Sequence, residues 1–434
     1  MGDRARGDRR KVIPPPPLPR LAGLEALRGV EDAPGLELWL SARHVHDWLD
    51  TPASSRAGLV PDATKPAGRI RRAEALEMAP ELATALHVLR CAAADPLGLG
   101  AAQLAVACAE AAEWAESRGV LPLAVALAEA AANAEPEAPA RANVAARICR
   151  RAAEWDRSAA WYQRAIGLAR RQRDAREFIR GQVGYGASLY NQGLLNQARP
   201  HLSAAAWRSR LAGLHEQAAH AWHDLLLVSA ELGAYAEAQD YARRAATAYP
   251  LHARRLPYLA ADLAVTLVFQ RYYSSALPLL DAFVAKIEEP AEQVLALSNR
   301  AHAAAGVGDV KGFQGLAPRV LDLVEAYEEH APAALVNLAA GAYALSDWDL
   351  GERCARLAVE RAKGRKDGEP ERRARELLEA IASRTPAPGE APVPAGATGR
   401  QLRDLIRELV ARLARWTPDA RTARRRAIPD ESVA

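Results

Sequence analysis

The chain is short of the residues that build sheets, cross-linked folds and membrane spans. Four phenylalanines among 434 residues, set against abundant alanine, suit helix lying on helix better than β-sheets. Its four cysteines, Cys91, Cys108, Cys149 and Cys354, stand at no metal-ligand or redox spacing, and each lies in an apolar helical stretch. They read as buried thiols in a reducing compartment. No run approaches ~18 uninterrupted apolar residues, and the basic start leads into IPPPPLP rather than an apolar segment, so the expected location is cytoplasmic. Also missing are a glycine-rich phosphate loop after a strand, a nucleophile elbow and paired acids that stand out from helix-surface charge. These absences predict a protein that is not an enzyme and that has no cofactor and no metal.

Charge is small in total and uneven in distribution. The formal net charge is +4, yet residues 1–20 carry +4 and residues 399–434 another +4, which leaves the body mildly acidic. Basic ends on such a body do not describe a dedicated nucleic-acid binder.

What is present is a repeat. In GYGASLYNQGLLNQARPHLSAAA, from Gly184, small residues Gly186, Gly193, Ala198 and Ala205 alternate with Leu189, Leu194, Leu195 and Leu202. Mid-helix glycine costs about 1 kcal/mol relative to alanine, so Gly186 points to a close helix approach, whereas Gly193 suits a left-handed cap. The second-helix position recurs as Ala124, Ser158, Ala198, Ala238, Ala276, Phe313 and Gly351, at spacings of 34, 40, 40, 38, 37 and 38. Seven residues later come Ala131, Ala165, Ala205, Ala245, Phe283, Val320 and Ala358. Gly193, Gly233 and Gly308 close first helices, and Pro136 and Pro250 follow second ones.

This pattern resembles the tetratricopeptide repeat family over roughly residues 100–363. AWHDLLLVSAELGAYAEAQDYARRAATAYP matches best, with Trp222, Leu225, Gly233, Tyr235, Ala238, Ala245 and Pro250 at family-like positions. The period departs from the family's ~34 residues, and Phe283 and Phe313 break the small-residue rule, which predicts distortion in the later units. The resemblance implies an all-α, right-handed α-solenoid of about seven antiparallel helix-turn-helix repeats with capping helices. It also implies a concave face, lined mainly by first helices, that holds another protein's helix or extended segment.

The expected organisation is a disordered basic, proline-rich stretch at 1–20, a degenerate helical region at 21–97, the solenoid at 98–363 and a capping helix at 364–384. A Pro/Ala/Gly linker then spans 385–398, followed by an amphipathic helix and basic tail at 399–434. The last helix carries Leu402, Leu405, Ile406, Leu409, Val410, Leu413 and Trp416 on one face. It suits docking in cis, docking on a partner, or lying on a membrane surface, the last being least expected.

Two histidine clusters invite a metal reading. His44, His46 and Asp47 in HVHD are similar to the metal-binding start of metallo-hydrolases, but residues two apart on a helix point to different faces, so a plain helix is expected. His220 and His223 lie one helical turn apart, too few for a closed zinc site, and the family register turns both toward the groove. Ten arginines between 145 and 185 face four acids. The register aims Asn143, Arg147, Arg150 or Arg151, and Arg180 into the groove, beside Tyr190 and Asn191. Arginine binds carboxylates bidentately, so the expected partner is a protein or peptide, possibly acidic, with no specific nucleic acid.

The reading from sequence is therefore a non-catalytic adaptor or scaffold. Its alternative is a bacterial-type regulatory subunit whose solenoid senses a peptide or small ligand and controls a separately encoded transcriptional or enzymatic partner. A third reading places an enzyme site within 21–97 around His44 or His46.

Overall fold

The computed structural model describes residues 12–19, 33–59, 82–94, 100–287, 290–327, 330–365 and 367–417. The chain divides into two compact units, Met1–Gln217 and Ala218–Ala434. All regular secondary structure among the described residues is helical.

The first unit opens with α1 (Ala33–Asp50), a 3-10 turn at Ala53–Gly58 and α2 (Ala83–Ala94). Three antiparallel hairpins follow: α3 (Ala101–Ser117) with α4 (Leu121–Ala134), α5 (Pro139–Arg151) with α6 (Trp155–Gln172), and α7 (Ala175–Asn191) with α8 (Leu195–Leu211). Helix α9 (His215–Glu231) begins at the boundary between the units. The second unit pairs it with α10 (Tyr235–Ala248) and continues with α11 (Leu256–Phe269) and α12 (Tyr273–Val284). Then come α13 (Pro290–Gly306) with α14 (Val310–Ala326), α15 (Ala331–Ala344) with α16 (Trp348–Arg365), and finally α17 (Gly368–Ala382) and α18 (Gly396–Arg415). Seven such hairpins occur among the described residues, as the repeat spacing predicts.

The repeat register marks the buried positions. Ala124, Ser158, Ala198, Ala238, Ala276 and Phe313 are all at 0–1% exposure, and Gly351 is also buried. First-helix positions Ala112, Ala146, Leu226, Ala264, Ala301 and Ala339 are at 0%. Close approach is the reason. A Cβ added at Gly186 would lie 2.6 Å from Leu202 Cγ on the facing helix. Phe313 fits its small-residue position because the facing residue is Gly341, where a Cβ would stand 2.6 Å from the Phe313 ring. At Phe313 the expected distortion is thus relieved by a reciprocal exchange of bulk across the helix contact.

Each hairpin turn passes through one residue with a left-handed backbone: Gly119, Ala153, Gly193, Gly233, Arg271, Gly308 and Ser346. At Gly193 the amide donates to Tyr190 O at 2.8 Å and that of Leu194 to Leu189 O at 2.9 Å, which satisfies carbonyls that the helix end leaves open. Ala153 makes the equivalent bonds, to Arg150 O and, through Glu154, to Cys149 O. It does so at φ 58° with a side chain attached.

Residues 12–19, expected within a disordered terminus, instead lie extended on α6. Arg164 donates to Ile13 O at 2.6 Å and Arg157 to Pro17 O at 2.7 Å. Residues 1–11, and the rest of the 21–97 region outside α1, α2 and the 3-10 turn, lie outside the described residues. Helices α1 and α2 belong to the same apolar core as the first hairpins. Within that core His46 donates to Ala126 O at 3.2 Å, while Asp47 is exposed on the other side of α1. This divergence separates the HVHD side chains. Cys108, Cys149 and Cys354 are buried free thiols, and burial pushes the Cys108 thiol up to about 12. The Cys91 side chain lies outside the described set.

The amphipathic C-terminal helix docks within its own unit. Leu402, Leu405, Ile406, Leu409 and Leu413 of α18, and Trp416 just past its end, are all at or below 7% exposure, with α18 packed against α12, α11 and α10. Arg412 donates to Tyr249 O at 2.6 Å, and Trp416 Nε1 to Ala253 O at 3.0 Å. The linker is fixed as well: Arg271 donates to Gly389 O at 2.9 Å, and Glu390 accepts from the Ser274 amide at 2.7 Å. No described helix is long and apolar enough to cross a membrane.

Two substitutions check this account by thermal or urea unfolding. Gly186→Ala lowers stability by about 1–3 kcal/mol through overpacking on Leu202, although helix propensity alone favours the change by about 1 kcal/mol. Ala153→Gly raises stability by about 1 kcal/mol, because it relieves a left-handed conformation that costs a residue with a Cβ roughly 1–2 kcal/mol.

Candidate functional site

In the first unit, Asn143, Arg147, Arg150 and Arg151 project from α5, and Arg180 and Asn191 from α7, the first helices of adjacent hairpins. Their organiser is a carboxylate that the sequence reading overlooked. Glu116, near the end of α3, is 7% exposed and is held by two arginines. Arg147 binds both of its oxygens, one at 2.8 Å, and Arg151 donates to Oε1 at 2.9 Å. Burial alone would raise the Glu116 carboxyl. The hydrogen bonds and charges of Arg147 and Arg151 outweigh it and hold the group below its ordinary value.

A second carboxylate stands across from it. Asn143 donates to Glu177 Oε2 at 2.8 Å and to Glu177 O at 3.0 Å, and Arg180 reaches Glu177 Oε1 at 3.5 Å. Near Arg147, Arg150 and Arg180 lies Tyr162, 3% exposed on α6. Burial pushes its hydroxyl up against the opposing influence of Arg150, Arg147 and Arg180. Gly184 lets α7 come down onto this ring, because any Cβ there would overlap it. With its amide oriented to suit both neighbours, Asn191 donates to Ala187 O and accepts from Arg150 Nη1, each at 3.2 Å. Tyr190 is half-buried beside it. Two polar atoms in this cluster, Asn143 Oδ1 and Arg150 Nε, are buried with no partner among the described residues.

The face therefore sets four arginines against two carboxylates, with Arg151 and Arg180 about half exposed at 46% and 50%. It keeps an excess of positive charge that an anionic group can meet with bidentate bonds.

Four other arginines of the basic stretch, Arg157, Arg164, Arg170 and Arg171, are engaged elsewhere. Arg157 pairs with Glu129, which is 0% exposed and also accepts from Trp161 Nε1 at 2.8 Å and Cys149 Sγ at 3.3 Å. Arg164 binds carbonyls of Ile13 and Pro136, Arg171 pairs with Glu137, and Arg170 lies over the Phe178 ring. The local surplus counted along the sequence is thus divided between two helix surfaces. Glu129 was legible as a single acid inside the alanine-rich run ALAEAAANA, a signal that a buried charge awaits a partner, whereas Glu116 shares AEAAEWAES with two other glutamates and does not stand out.

In the second unit the histidines separate. His223, expected to face a groove, is 0% exposed. Its Nε2 lies 2.7 Å from Asp262 Oδ2 and its Nδ1 3.2 Å from Tyr249 Oη. Both ring nitrogens are occupied, so the residue is an internal polar tie. His220 is half-buried, 5.5 Å from the Tyr249 ring. Its neighbour Asp224 pairs with Arg255 at 2.7 Å. No group of three or more metal-ligating side chains occurs among the described residues. At a further histidine, burial, with the charge of Arg373 adding to it, lowers His302 from 6.5 to about 3, and its ring stands 5.7 Å from Tyr273.

No protein-family model matches the chain, and no curated protein matches it. Among solved structures, the apo form of RapI superposes with a TM-score of 0.50 at 13% identity, covering 76% of this chain and 99% of that one. A Rap protein complexed with competence and sporulation factor gives 0.46 at 14%, covering 79% and 98%. BtubC from P. vanneervenii gives 0.39 at 15%, covering 58% and 92%. The RapI likeness shows the fold: an all-α stack of helical hairpins.

Arg147→Ala removes the bidentate partner of a buried carboxylate and lowers stability by about 1–3 kcal/mol, whereas Arg151→Ala, at a half-exposed position, changes it by no more than about 1 kcal/mol. Chemical denaturation of the two variants separates these values. His302 gives a pH signature. Its folded value lies below its unfolded one, so the unfolded state binds the extra proton between about 6.5 and about 3. Stability therefore falls as pH drops through that window, and His302→Leu flattens the fall in unfolding measured from pH 7.5 to 5.

Proposed function

We propose that this protein is a non-catalytic, cytoplasmic adaptor of tetratricopeptide type that binds an acidic segment of a partner protein on the α3–α5–α7 face of its first unit. The observation that carries the reading is the pairing of Arg147 and Arg151 on one buried carboxylate. Arg147 binds both oxygens of Glu116, and Arg151 donates to Oε1 as well. Arg151 is left with donors in solvent, and Arg180, half exposed on the neighbouring first helix, supplies a second set. Two positioned forks on a rigid helix pair suit carboxylates presented by a peptide, since little side-chain freedom remains to be lost on binding. Asn191, exposed beside them, offers an amide to a peptide backbone, whereas Asn143 is 2% exposed and holds Glu177 in place.

The test uses defined probes. Fluorescent peptides rich in Asp and Glu, with neutral and Lys-rich peptides of equal length, are titrated against wild type and an Arg151→Gln/Arg180→Gln variant. That pair leaves the Arg147–Glu116 contact in place, so folding is preserved. Binding of the acidic peptides, weakened by salt and reduced at least about 10-fold in the variant, equivalent to ~1.4 kcal/mol, supports the assignment. Equal affinity for all peptides, or for both proteins, removes it.

A further inference from the structure

The second helix of the second hairpin carries a site of a different kind. Arg164 is 6% exposed, yet it forms no ion pair among the described residues: its charge is met by two backbone carbonyls, Ile13 O and Pro136 O, each at 2.6 Å. Arg157, seven residues earlier on α6, is held rigid by Glu129 and turns a remaining donor on Pro17 O at 2.7 Å. The segment Val12–Pro19 therefore lies along α6 in the opposite direction to the helix, with Val12 over Gly167, Ile13 at Arg164 and Pro17 at Arg157. A Cβ at Gly167 would meet only Val12, at 3.6 Å.

The spacing matches a specific conformation. Seven helical residues cover ~10.5 Å, and four residues of polyproline helix cover ~12.4 Å. Two arginines two turns apart thus address carbonyls four residues apart on a chain that Pro14, Pro15, Pro16 and Pro17 hold extended. Polyproline helix makes no internal hydrogen bonds, so its carbonyls are free to accept, and its stiffness lowers the entropy lost on docking. With Arg157 neutralised by Glu129, the donors left on this helix are met by backbone carbonyls, which an extended proline-rich chain supplies along its length.

We infer that the outer face of α6 is a binding site for extended proline-rich segments, with Val12–Pro19 as a resident ligand that a partner's proline-rich segment displaces. The site is independent of the arginine face on α5 and α7, and its failure leaves that face untouched.

The test uses the full chain and a fluorescent, end-capped VIPPPPLP octapeptide read by anisotropy. Replacing Pro14, Pro15, Pro16 and Pro17 together by Gly makes the resident segment flexible and weakens its hold, while leaving every core residue in place. The opened variant is expected to bind the octapeptide at least about 10-fold more tightly than wild type does. Adding Gly167→Leu, which places bulk only where Val12 sits, is expected to abolish the gain. Arg164→Ala is expected to do the same; because Arg164 also holds Pro136 O, Gly167→Leu decides the matter if that variant loses helicity. A VIGGGGLG control is expected to compete at least about 10-fold more weakly. No binding to the opened variant, equal competition by the glycine peptide, or binding unaffected by Gly167→Leu overturns the inference.

Discussion

The structure depends on how closely its helices can approach. Alanine, glycine and serine at the crossing positions let two helices of a hairpin, and successive hairpins within a unit, pack with almost no solvent between them. Little bulk is available per residue, so stability comes from many short-range dispersion contacts rather than a few large side chains. Bulk enters at such a position only when the opposite helix yields, as Phe313 and Gly341 show. The same economy leaves little room for buried polar groups. The buried carboxylates Glu116 and Glu129 and the buried His223 are tied to partners on neighbouring helices: Glu116 to Arg147, Glu129 to Arg157 and Trp161, and His223 to Asp262 and Tyr249.

These ties give each unit its chemistry. A carboxylate inside an alanine-rich helix costs several kcal/mol if unpaired, and arginine is the partner whose fork both neutralises it and reaches solvent. On the α3–α5–α7 face that requirement produces arginines fixed at their bases and free at their tips. On α6 it produces Arg157, neutralised by Glu129 and left with one donor for a backbone carbonyl. The resident segment 12–19 and the docked helix α18 use the same device, since arginine donors on Ile13 O, Pro17 O, Ala246 O and Tyr249 O hold each in place.

Much of the fold was legible because its cause is periodic. The small-residue positions from Ala124 to Gly351, and the turn glycines at Gly193, Gly233 and Gly308, recur with the hairpin, and each marks a contact or a left-handed turn that other residues enter at a cost. The non-glycine turns at Ala153, Arg271 and Ser346 were not legible, since the hydrogen bonds across each helix end determine them rather than residue type. The candidate site was half legible. Asn143, Arg147, Arg150, Arg151, Arg180 and Asn191 do gather, because first-helix register places them on one face. His223 departs because Asp262 and Tyr249, distant in sequence, close over it. Arg157 and Arg164 were counted with the others because linear charge takes no account of which helix surface a side chain leaves from.

The measurement that bears most directly on the central claim is hydrogen–deuterium exchange of the full chain with and without a saturating Asp/Glu-rich peptide. Increased protection confined to residues 139–151 and 175–191 is the predicted result. Protection absent from those segments, or appearing instead around His220 and His223, would contradict the account.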